Sequence, residues 1–242
     1  MTQEGNALFG AGTPAWEPCD AGFAGRFSRF SEEAAGQSGL DAPTRALAVL
    51  ACLLGCQGLE AFRRMVAPAR EAGVSAVQIK ELLYQGTAYL GIGRVLPFLS
   101  AANQALTERG ETLPEAEPFL PWEERQPQGT QAQVDIFGEG MQDFWRSGPE
   151  DSRHINRWLA ENCFGDYYTR GGLDLRQREM LTFCFLAAQG GCEPQLTSHA
   201  AANLRLGNDV PFLIGVISQC LPYIGYPRCL NALQCVRNAA KG

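Results

Sequence analysis

The 242-residue chain reads as an all-α protein made of two homologous helical domains. Three observations predict this. Apolar residues recur at helical spacing, no run alternates with the period of two that marks a half-buried strand, and the chain is written twice.

The repeat is visible by setting "LDAPTRALAVLACLLGCQGLEAF" (40–62) over "LDLRQREMLTFCFLAAQGGCEPQ" (173–195), an offset of 133. Both copies open Leu-Asp, carry an arginine at the sixth position (Arg45, Arg178) and run into about three turns of apolar periodicity. Further on, "LLYQGTAYLGIGRVLPFL" (82–99) lies over "VISQCLPYIGYPRCLNAL" (216–233), an offset of 134, so one residue separates the two registers. Gln85 meets Gln219, Tyr89 meets Tyr223 and Arg94 meets Arg228. Asp41 and Asp174 are expected N-caps, and Asp174 with Gln177, like Ser75 with Gln78, has capping-box spacing. The glycines closing "REAG" and "NLRLG" stop helices, and Pro194 and Pro227 suit first turns. The expected division is a degenerate helical repeat over 1–106, a linker over 107–133 with four prolines and six glutamates, and a second domain over 134–242. The linker composition is poorly suited to helix interiors. The segment before the second core reads as one amphipathic helix ending near Cys163, then a turn through Gly165 and Asp166. The opening 37 residues carry no chemical motif and are expected to include a helix that wraps a neighbouring subunit.

With 45% hydrophobic and 19% charged residues the composition is that of a folded globular chain. Its net charge of −6, without a basic run, argues against nucleic acid as a partner. No apolar stretch reaches membrane-spanning length, and the first residues do not read as a secretory signal. Nine cysteines, an odd number without paired metal spacing, point to a reducing, cytoplasmic setting with neither a disulfide framework nor a metal site.

Three reactive residues stand out in the second copy. Glu179 lies in the first turns of an apolar helix, Cys192 in the turn before the next, and His199 inside that next helix. A thiol near a helix N-terminus is expected to have a lowered pKa. A histidine suits proton transfer near neutrality, and a carboxylate beside it can orient the ring. Each also has an ordinary use: a small buried thiol, an interface histidine, a partner for Arg178. The repeat supplies the comparison, because the first copy has Ala46, Leu59 and Val66 or Met65 at these positions. Three reactive types have become apolar together, so the second unit is expected to carry the chemistry and the first to carry packing. Tyr223 recurs in the first copy as Tyr89, which reads as packing, and Arg228 recurs as Arg94, which counts against a catalytic role for it.

"GLDLRQREMLTFCFLAAQGGCEPQLTSHAAANLRLGNDV", "LPYIGYPRCLNAL" and the upstream "NCFGDYYTR" together resemble the carboxymuconolactone decarboxylase family, which includes alkylhydroperoxidase D-like proteins. The resemblance spans roughly 160–240 and, more weakly, 38–105. It implies an all-helical tandem protein of that type, forming a homotrimer with hexamer-like pseudo-symmetry. It also implies catalytic roles for Glu179, Cys192 and His199. The peroxidase branch uses Cys-x-x-Cys, but the second position here is Gln195, so Cys192 has no built-in resolving partner. The decarboxylase branch needs no disulfide and no cofactor. Its small carboxylated lactone would meet an acid at His199, with Arg178, Arg170 or Arg228 supplying a cation and Asp166 contacting substrate. A thiol-dependent peroxidase acting through Cys192 and a non-catalytic helical assembly are the alternatives.

Overall fold

The computed structural model describes residues 18–113 and 118–241, and every regular element among them is helical. The segment 1–17 and residues 114–117 of the linker lie outside the described residues. The first unit comprises α1 (Ala21–Ser38), α2 (Ala42–Gly55), α3 (Leu59–Glu71), α4 (Ala76–Leu90) and α5 (Ile92–Glu108). The second comprises α6 (Arg125–Phe137), α7 (Arg153–Trp158), a π-helical segment (Leu159–Tyr168), α8 (Leu175–Gln189), α9 (Glu193–Arg205), α10 (Val210–Ile224) and α11 (Tyr226–Ala239).

The expected caps are formed. Asp41 accepts from the Thr44 backbone N–H, while Ser75–Gln78 and Asp174–Gln177 close full capping boxes. Gly73 and Gly207 take positive φ after α3 and α9, a conformation that ends a helix without steric penalty in glycine.

The repeat is realised in space as a pairing of α2 with α8, whose residues are buried almost throughout. Across this seam the units exchange helices: α4 packs on α8 of the other half, and α10 packs on α2. One continuous core results, running from Leu47, Leu50 and Leu54 to Phe183 and Phe185. The cysteines inside it, Cys52, Cys184 and Cys220, are free and buried together where α2, α8 and α10 meet.

Two local expectations are revised. Residues 125–133 of the expected linker are helical, as part of α6. The reason is Gly129, which lets α6 approach the π segment so closely that a Cβ there would overlap the Ala160 carbonyl; Gly165 is pressed against the Arg125 carbonyl in the same way. The helix expected to end near Cys163 continues to Tyr168 in wide turns, through Gly165 and Asp166. Arg125 forks onto Asp166 across this contact, with two 2.5 Å hydrogen bonds. The helix expected in the opening segment is α1, one face of which packs on α10 of its own chain, with Phe27 edge-on to Tyr223.

Candidate functional site

The structure brings Glu179 and His199 together. Asp174 starts α8 so that Glu179 sits in its second turn, fully buried. The Gly190–Gly191 turn, both at positive φ, reverses the chain, and Pro194 opens α9. Asn203 then fixes where the helices cross, because its side-chain N–H₂ donates to the carbonyls of Glu179 (2.9 Å) and His199 (2.8 Å). Asn208 holds that amide by donating to its Oδ1 at 2.8 Å. The outcome is a buried hydrogen bond of 2.7 Å between His199 Nδ1 and Glu179 Oε2.

The second carboxylate oxygen is also occupied. Tyr168, at the end of the π segment, donates from its hydroxyl to Glu179 Oε1 at 2.8 Å. Its oxygen is 2.7 Å from Thr182 Oγ1 and 2.7 Å from the Tyr89 hydroxyl. Burial pushes the phenols of Tyr89 and Tyr168 well above the ordinary tyrosine range, so both stay protonated donors. Cys163 donates to the Tyr89 oxygen at 3.7 Å, and burial raises its thiol to about 12. Tyr89 and Phe137 stand edge-on to the imidazole, with centroids 5.6 and 5.3 Å away. His199 itself is only 8% exposed.

Models of one family match this chain in two stretches, residues 21–104 and 154–238, well over half of its length. The chain belongs to the carboxymuconolactone decarboxylase family. No curated protein gives a significant match. The two matched stretches are the two helical units, so this is a tandem, all-α member of the family. Phe137 of α6 comes from the chain between them, and Tyr89 from the degenerate copy.

The other residues singled out from the sequence take different positions. Cys192 is the N-cap residue of α9, two turns before His199, and its hydrogen bonds run to α8 instead. Its thiol donates to the Leu186 carbonyl at 3.4 Å and accepts from Gln189 Nε2 at 3.7 Å. The expected lowering of its pKa is not found. Burial raises it more than the hydrogen bond from Gln189 lowers it, and the Glu193 carboxylate beside it adds a smaller rise. Arg178 is fully buried and donates to Glu81 Oε2 (3.1 Å), Gln85 Oε1 (3.1 Å) and the carbonyls of Arg170 and Gly171. Arg170 donates to the other oxygen of Glu81 at 2.9 Å. Asp166 is held by Arg125 and Asn162. None of these three makes a direct hydrogen bond to Glu179 or His199.

Sequence reasoning missed Tyr168, Tyr89, Thr182 and Gln85 in this cluster. It missed Gln133 too, a fully buried α6 residue one turn before Phe137, whose amide oxygen and nitrogen both lack a partner among the described residues. A buried glutamine in an amphipathic pattern was the available signal, since an unpaired amide is costly to bury. No group of three or more His, Cys, Asp or Glu side chains is arranged to hold a metal ion among the described residues.

Proposed function

We propose that this protein is a cofactor-independent enzyme that decarboxylates a small carboxylated lactone and protonates the resulting carbanion through His199. The observation that carries the reading is the buried 2.7 Å contact between Nδ1 and Glu179, which leaves Nε2 as the working nitrogen. The substrate's C–CO₂⁻ bond breaks, carbon dioxide leaves, and the electron pair spreads into the unsaturated lactone as a dienolate. The imidazolium Nε2–H then delivers its proton to carbon, and solvent restores it. Glu179 holds the ring's tautomer and balances the imidazolium charge. The apolar walls given by Phe137 and Tyr89 favour a transition state whose charge is spread out over one whose charge sits on a carboxylate. Gln133 is the amide we assign to the polar end of the substrate.

A cytoplasmic setting accords with nine cysteines that are all free. No helix among the described residues is long and apolar enough to cross a membrane. We also propose that the chain self-associates through the starts of α5 and α11. There Ile92 and Leu96 recur 134 residues later as Tyr226 and Leu230, all four more than half exposed.

The test is turnover of γ-carboxymuconolactone, followed by loss of lactone absorbance and release of carbon dioxide. His199→Gln is expected to lower kcat by about 10²- to 10⁴-fold, the usual contribution of a general acid or base. Cys192→Ser is expected to keep most of it. Loss of activity in the cysteine variant, with His199→Gln active, would overturn the assignment in favour of thiol chemistry with a hydroperoxide.

A further inference from the structure

We propose that the degenerate first unit sets the protonation geometry of the imidazole in the second, with Tyr89 and Gln85 as positioning residues on a one-way chain of hydrogen bonds that ends at His199. The argument deepens the reading of His199 as the acid–base group and rests on it for its catalytic meaning, but not for its structural content.

The chain begins at a group that can only donate. Arg178 gives an N–H to Gln85 Oε1 at 3.1 Å, so the oxygen of that amide faces the guanidinium. The amide nitrogen then faces the other way, donating to the Arg178 carbonyl and to Thr182 Oγ1, both at 2.8 Å. Both ends of the amide agree on its orientation. Thr182, having accepted from Gln85, has one proton to give, and Tyr168 is 2.7 Å away. Tyr168 spends its single proton on Glu179 Oε1. Tyr89, 2.7 Å from the same phenol oxygen, must therefore donate as well, and it accepts from Cys163. The Tyr168 oxygen thus accepts twice and donates once, its full capacity. The polarity of every link follows, and the carboxylate at the end accepts on both oxygens. The one proton left for Oε2 is that of His199 Nδ1.

The first unit supplies this from a single stripe of α4. Glu81, Gln85 and Tyr89 are spaced four residues apart and face Arg178 and Thr182, themselves one turn apart on α8. Glu81 anchors the start by pairing with both Arg178 and Arg170. The titratable groups around the His199–Glu179 pair are Tyr168 and Cys163 from the π segment and Tyr89 from α4, while α6 contributes the apolar Phe137.

The experiment reads His199 directly by nitrogen NMR, with exposed His154, the chain's only other histidine, as internal reference. In the wild type, neutral His199 is expected as the Nδ1–H tautomer. Tyr168→Phe removes a donor from Glu179, leaves the carboxylate more basic, and is expected to raise the titration midpoint of His199 by about 1 pH unit. Tyr89→Phe keeps the ring beside the imidazole and removes only the hydroxyl. It should shift the midpoint in the same direction by less, and should add nothing in the Tyr168→Phe background. Thr182→Val, which cuts the branch from Gln85, should also move it upward and serves if Tyr168→Phe does not fold. A folded Tyr89→Phe variant with an unmoved His199, an Nε2–H tautomer in the wild type, or a Tyr89→Phe shift that persists undiminished without the Tyr168 hydroxyl would each overturn the proposal. Because the readout needs no substrate, failure to turn over a lactone would refute the proposed function and leave this result standing.

Discussion

At the scale of single residues, the two halves show what a polar side chain costs when its partners are absent. Gln85 is buried with its amide oxygen and nitrogen both used. Its counterpart Gln219 is equally buried, but Val49 stands where Thr182 would be and Ala46 where Glu179 would be, and its amide oxygen has no partner among the described residues. The same residue type therefore joins a polar network on one side of the molecule and faces hydrocarbon at Ala46 and Val49 on the other. This is why comparing the copies assigned Tyr89 to packing: identity with Tyr223 says nothing about whether a carboxylate network lies opposite. Cys192 gives the converse lesson. Its place before α9 suggested an activated thiol, yet burial and the adjacent Glu193 hold it in the protonated form. Cys192 is accordingly expected to alkylate with iodoacetamide at neutral pH more slowly than exposed Cys19, as peptide mapping over a time course would show. Labelling of Cys192 ahead of Cys19 would contradict this.

Helices were legible where their ends carry chemistry of their own. Asp41 caps α2 through the Thr44 N–H, and the hydrogen bonds from Thr44 hold its carboxyl below its ordinary pKa. The sign is that of a group depressed in the folded state. The cap's contribution is present above the unfolded value of about 3.9 and is lost as pH falls through the lower folded value. Asp41→Ala is therefore expected to cost about 1 kcal/mol near neutral pH in urea unfolding. The gap between variant and wild type should shrink as the pH drops below about 4. Caps, terminating glycines and first-turn prolines act within four residues, which is why they could be read from the sequence. The π segment and α6 could not, because their form depends on Gly129 and Gly165 meeting across a helix crossing. Glu179 and His199 were found because reactive residue types were missing from the other copy. Their contact, and the reach of Tyr168, Thr182 and α4 into it, depends on how α4, α8, α9 and the π segment cross.

For the whole molecule, the α2–α8 seam joins two repeated halves with exchanged helices, and the apolar starts of α5 and α11 recur, one in each half. A surface displayed twice in this manner can join head to tail and close into a ring, since each copy presents both a donor and an acceptor patch. If the proposed assembly forms there, light scattering of the wild type should give the mass of a trimer. The double variant Leu96→Glu, Leu230→Glu should then run as a monomer with unchanged helix content. A wild-type monomer, or a double variant that stays assembled, would remove this surface from consideration.

The seam has one more consequence. In an assembly of two identical chains every substitution appears on both sides of the axis, so a buried acid, a buried arginine and a buried imidazole would each be incurred twice. Here the halves are joined as one polypeptide, and a substitution lands once. Ala46, Val49 and Val66 fill one half with hydrocarbon, while Glu179, Thr182 and His199 occupy the other. Each half is thereby free to specialise, the first filling α2 and α3 with hydrocarbon while lending one stripe of α4 to its neighbour, and the second holding the Glu179–His199 pair.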